Sequence, residues 1–227
     1  MADKSELQHI PRAVDALVLS ETRSGLIARA RRDAACLMEC KPVNKDILAV
    51  RPLEASILSN SNDAEEQFQL GHTYYSKQAY QDAAFWFRRA ADQGHAEAQL
   101  SLGFLYQIGR GVPQDYAMDA YWLRKAADQG HAMAQYGLGV LYLTGMGVSK
   151  DPVKATDCFR EASMQGLAKA QFLLGYAYEK GEGVSQDYAK AAKWYRMAAE
   201  EGETEAQTRL GLLYGSGQGV QQSDPEA

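Results

Sequence analysis

A single internal repeat constrains this chain more than any other feature. The pattern A-x-A-Q-x-x-L-G-x-x-Y occurs at Ala96 to Tyr106, at Ala132 to Tyr142 and at Ala168 to Tyr178, with a variant at Thr204 to Tyr214. The glycines of the L-G pair, Gly103, Gly139, Gly175 and Gly211, are 36 residues apart. Leu70-Gly71 with Tyr74 is an earlier relative, displaced by 32. A second series, Gly94, Gly130, Gly166 and Gly202, keeps the spacing of 36. A fixed period of this length is the signature of a stacked array, because one unit cannot bury its apolar face alone.

Each unit reads as two helices. Helix A runs over about Ala96 to Gln107, and Ala98, Leu102 and Tyr106 recur at helical spacing as an apolar stripe. A glycine inside a helix costs about 1 kcal/mol relative to alanine. Repeating Gly103 in five copies therefore implies a close approach by a neighbouring helix. The turn Gly109-Arg110-Gly111-Val112-Pro113-Gln114-Asp115 returns at Gly145 to Asp151 and Gly181 to Asp187. Its glycines suit a tight backbone, and its Asp is placed to cap helix B, which runs over about Tyr116 to Asp128 and stops at Gly130.

These motifs, with the W-Y/L-x-x-A-A-x-x-G ending of helix B, resemble the Sel-one-like repeat family, a relative of the tetratricopeptide repeat. The resemblance covers about residues 63 to 220. It implies an all-α fold, a right-handed α/α superhelical solenoid, and an adaptor or scaffold role. The expected units are about 64–94, 96–130, 132–166 and 168–202, then a half-repeat at 204–220, within a solenoid domain at 63–227. Three departures stand out. The first unit lacks the G-x-G-V insertion and turns tightly through Ser76 to Tyr80. The third has Pro152 where Tyr116 and Tyr188 stand, and Cys158 where Trp86, Trp122 and Trp194 stand, so its packing should be weaker or rearranged. The last unit carries Gln207, Thr208 and Arg209 and reads as a polar terminal cap.

Residues 1–62 do not repeat. They read as an extension, partly helical over Pro11 to Leu19 and Ser24 to Glu39, that caps the array or forms an arm. Arg23, Arg29, Arg31 and Arg32 make a basic cluster there. Formal net charge is −5, divided as +1 for residues 1–60 and −6 for the remainder. That balance gives no reason to expect nucleic acid, which needs a concentrated basic face. Three cysteines, Cys36, Cys40 and Cys158, argue against a disulfide framework. No signal peptide or membrane-length apolar run is seen, so the expectation is a cytoplasmic, bacterial protein without a membrane partner, secretion as an effector remaining open.

Neither catalytic, metal nor cofactor residues are expected. The G-x-G turns follow a helix rather than a strand and lack the third glycine of a dinucleotide site. Asp115, Asp151 and Asp187 would repel phosphate from helix B. His9, His72, His95 and His131 do not converge with other ligands, and the recurrence of His95 and His131 follows from the repeat.

The informative face lies on helix A, at the positions after the Gln, after the L-G glycine and after the Tyr. These fall on one side of the helix. They hold Phe68, His72 and Tyr75; Leu100, Phe104 and Gln107; Tyr136, Val140 and Leu143; Phe172, Tyr176 and Glu179. By analogy with tetratricopeptide arrays this strip lines a concave groove for a partner peptide or helix. Phe68, Leu100, Tyr136 and Phe172 could instead pack on the adjacent helix A, whereas groove exposure is expected for His72, Phe104, Val140 and Tyr176. Alternative readings are an inhibitory or immunity-type subunit that wraps an enzyme, and a hydrolase with an unrecognised site. The ends of the solenoid could also support self-association.

Overall fold

The computed structural model describes residues 62–219, which lie within one compact unit. The extension at 1–62 falls outside these residues, Asn62 apart, together with its basic cluster, Cys36 and Cys40. The described residues form helices α1 (Ala64–Ser76), α2 (Tyr80–Asp92), α3 (Ala96–Ile108), α4 (Tyr116–Ala127), α5 (Ala132–Thr144), α6 (Pro152–Met164), α7 (Ala168–Lys180), α8 (Tyr188–Glu200) and α9 (Thr204–Ser216), with no strand among them. Each packs on its neighbours in sequence, giving an all-α solenoid of helix-turn-helix units. Odd-numbered helices are the A helices and even-numbered ones the B helices.

The helix boundaries follow from local chemistry. Asp115, Asp151 and Asp187 have extended backbones and accept hydrogen bonds from the first-turn amides of α4, α6 and α8. Pro152 sits in the first turn of α6, where its missing N–H costs nothing. His95 and His131 cap α3 and α5, their Nδ1 atoms accepting the amides of Ala98 at 3.2 Å and Ala134 at 3.4 Å. An accepting Nδ1 leaves the proton of His95 on Nε2, which lies 2.9 Å from Glu65 Oε2. Leu167 and Glu203 stand at the same place before α7 and α9 and make no such side-chain cap.

The recurring glycines have two separate reasons. In the L-G pair the reason is space. A Cβ on Gly71, Gly139 or Gly175 would lie 2.5–2.8 Å from the ring of Phe87, Phe159 or Tyr195 on the B helix of the same unit. At Gly103 the nearest atom would be Asp119 Oδ1, at 3.0 Å. In the turn, Gly111, Gly147 and Gly183 have positive φ, and a Cβ there would overlap the carbonyls of Tyr80, Tyr116 and Pro152. Those residues begin the B helix of the preceding unit, so each long turn is seated on the unit before it. The first described unit turns through Ser76 to Ala79 instead, with Gln78 at φ 62°.

Candidate functional site

Polar ties hold the A-helix strip in place, a first set joining an A helix to the end of the B helix in its own unit. Gln93 Nε2 donates to Gln67 Oε1 at 2.8 Å, Gln129 to Gln99 at 2.8 Å and Gln165 to Gln135 at 2.7 Å. This ladder breaks once. Position 201 is glutamate, and the buried Oε1 of Gln171 has no hydrogen-bond donor among the described residues. A second set of struts joins B helices to the next A helix. Arg88 donates to the hydroxyl of Tyr106, Arg124 to that of Tyr142 at 2.9 Å, and Arg196 to that of Tyr214. The repeated Tyr is thus fixed by an arginine from the unit before it.

Seven of the twelve strip residues are buried: Phe68, His72, Phe104, Tyr136, Val140, Phe172 and Glu179. Tyr75, Leu100, Gln107, Leu143 and Tyr176 are half-buried. This changes the expected surface in two ways. Phe68, Tyr136 and Phe172 meet Phe87, Phe159 and Tyr195 at centroid distances of 5.8, 6.3 and 5.7 Å. They therefore pack on the B helix of their own unit. Phe68 also stacks on His95 at 4.7 Å. The exposure expected for His72, Phe104 and Val140 is not found, since each is less than a tenth exposed. His72 lies against Phe68 and Tyr75, with centroids 6.0 and 6.5 Å apart. A strip at i, i+4 and i+7 spans a wide arc of the helix, and one edge of that arc is turned into the unit's own core. Tyr176 is more open and sits beneath two cations, Arg209 at 5.3 Å and Lys180 at 5.8 Å.

Two carboxylates stand out when the units are set in register: Glu179, already part of the strip, and Asp119, which is not among the expected site residues. Glu179 stands where Gln107 and Leu143 stand in other units. Its oxygens take the Tyr195 hydroxyl at 2.7 Å, Lys180 Nζ at 2.6 Å and an Arg209 guanidinium nitrogen at 3.1 Å. Burial alone would raise its pKa, but the hydrogen bonds from Lys180 and Tyr195 and the charge of Arg209 prevail and hold it below the usual value. Asp119 stands where Ala83, Ala155 and Ala191 stand. It is 1% exposed, its Oδ2 has no hydrogen-bond partner among the described residues, and burial pushes its pKa well up. Cys158 is half-buried in the slot that holds tryptophan in its sister units, and burial raises its thiol to about 11, far from a reactive thiolate. Among the described residues no His, Cys, Asp and Glu cluster could hold a metal ion, and no helix is long and apolar enough to cross a membrane.

Helix pairs stacked and tied in this way define an α/α solenoid of the interaction-repeat class. The Sel1 repeat model matches residues 67–95, 96–131, 132–167, 168–203 and 204–227. The chain belongs to the Sel1 repeat family, whose members generally mediate protein–protein interaction. Among solved structures it is similar to c5321, a protective antigen of uropathogenic Escherichia coli strains with an SLR fold, at 39% identity and a TM-score of 0.73 over 77% of this chain. It spans 38% of that protein's length. It is also similar to a Sel1 repeat protein from Oxalobacter formigenes, at 31% identity and a TM-score of 0.70, covering 74% of this chain and 72% of the other. No curated protein matches it.

Proposed function

We propose that the chain is a non-enzymatic scaffold that binds an extended or helical segment of a partner protein along its A helices. The observation that supports this reading is the set of half-buried side chains on successive A helices: Tyr75, Gln107 and Leu143 share one register position on α1, α3 and α5, and Leu100 and Tyr176 stand at the two other strip positions of α3 and α7. Half-buried rings and aliphatic groups on a rigid backing suit hot-spot contacts, because little entropy is lost when they are covered. The buried members, Phe68, His72, Phe104, Tyr136, Val140 and Phe172, serve as the floor that holds this line, and Glu179 positions Arg209 over Tyr176. Its bacterial relatives favour a bacterial source.

The test is the pair Leu143→Glu and Tyr176→Glu in the full chain, with partner capture measured beside helicity and melting. Loss of capture with helicity unchanged supports the reading. Undiminished capture refutes it. Phe104 and Val140 are poor choices for this test, because a glutamate at a buried position would unfold its own unit.

A further inference from the structure

The B helices of the first two units carry rings where the next two carry charge. Phe85 is 55% exposed and Tyr121 45% exposed. Both precede the B-helix tryptophan and are 36 residues apart; the same position holds Asp157 in α6 and Lys193 in α8. Core packing accounts for the tryptophans but not for these two rings.

Around them the surface is organised. Phe85 stands edge-on to Trp86 at 5.2 Å and Tyr121 edge-on to Trp122 at 4.9 Å. A cation one turn further on lies over each pair. Arg89 is 6.0 Å from Phe85 and 5.3 Å from Trp86, and Lys125 Nζ is 4.9 Å from Tyr121 and 5.2 Å from Trp122. Arg88 of α2 reaches across to the buried ring of Trp122 on α4 at 5.9 Å, a contact that links the two helices. The acidic residues nearby, Asp82, Asp92 and Asp128, belong to the ends of these helices.

We propose that this B-helix strip is a second docking surface, one that takes an acidic segment of a partner protein bearing an aromatic or long aliphatic side chain. The apolar side chain of the partner covers Phe85 and Tyr121. Its carboxylates meet the exposed Lys125 beside Tyr121, with the half-buried Arg89 over Phe85 and Trp86 adding positive charge. A peptide fits better than an anionic membrane, since the repeat array carries a net charge of −6 that a lipid surface would repel and a short segment would not meet. This surface is distinct from the A-helix line, so either reading can fail alone. Together they would let one array hold two partners.

A random peptide display library screened on the full chain tests this. Wild type should enrich acidic sequences containing an aromatic or leucine. The double variant Phe85→Asp, Tyr121→Asp, which places at both positions the residue found at 157, should lose about tenfold or more of that enrichment, as removal of aromatic anchors does. Leu143→Glu with Tyr176→Glu should keep it. Lys125→Glu is the second variant should the double one misfold, and should lose the same sequences. The proposal is overturned if no acidic consensus emerges, if the ring-less variant selects the same peptides, or if the strip binds phosphatidylserine vesicles in place of any peptide.

Discussion

The second and fourth units each bury a carboxylate that their sister units lack, with opposite results. Glu179 arrived with company. Tyr195 stands where Phe87, Leu123 and Phe159 stand, and Arg209 where Leu173, Gly137 and Ser101 stand. Three positions on three helices differ together from those of the sister units, and the negative charge lies between a hydroxyl and two cations. Asp119 arrived alone. It faces Gly103, and nothing on α3 or α4 donates to its Oδ2. Burial is common to both, so burial does not decide the outcome. What decides it is whether neighbouring elements supply partners that cost less than the lost water.

Removing the company should hurt most. Arg209→Ala leaves Glu179 with Lys180 and Tyr195 only, and should destabilise the C-terminal units by about 3 kcal/mol in chemical denaturation, the cost of breaking a buried ion pair. A loss below about 1 kcal/mol would show that the remaining two partners suffice.

Removing the lone carboxylate should have the reverse sign. Asp119→Ala matches the three sister units and should stabilise the array at neutral pH by about 1–3 kcal/mol, the cost of an unsatisfied buried polar group. The two sites also differ in pH response. The raised pKa of Asp119 means that its contribution is intact below the ordinary value of 3.8 and is lost as pH rises. The lowered pKa of Glu179 means that its contribution is present above 4.5 and is lost as pH falls through the folded value. Melting curves from pH 4 to 7 should therefore fall less steeply, or rise, in the Asp119→Ala variant. Parallel curves for variant and wild type would remove the contrast.

The smallest effect concerns the glutamine ladder. Glu201→Gln restores the donor that Gln171 Oε1 lacks, and should add about 1 kcal/mol, the net worth of one hydrogen bond. Hydrogen exchange in α7 and α8 would report it; unchanged protection would mean that water already satisfies that oxygen.

Much of the fold was legible because the period fixes register. The close approach at Gly71, Gly139 and Gly175 and the caps at Asp115, Asp151 and Asp187 follow from residue type and spacing. The candidate site was less legible. Spacing placed Phe68, Tyr136 and Phe172 on one side of helix A, but which neighbour that side meets depends on how the helices cross. Exposure was misjudged at His72, Phe104 and Val140 for the same reason. Asp119 could have been found, since alignment of the units shows an acid in a column of alanines. The arginine–tyrosine struts could not, because their partners are 18 residues apart on different helices.

The seating of Gly111, Gly147 and Gly183 on the preceding unit bears on how such a protein can change length. Inserting or deleting one residue in a turn would move a side chain into a neighbour's backbone. Whole units, by contrast, bring both the turn and its seat with them. The array is therefore expected to lengthen or shorten over evolutionary time by duplicating or losing entire modules, and to tolerate drift in sequence far better than drift in spacing.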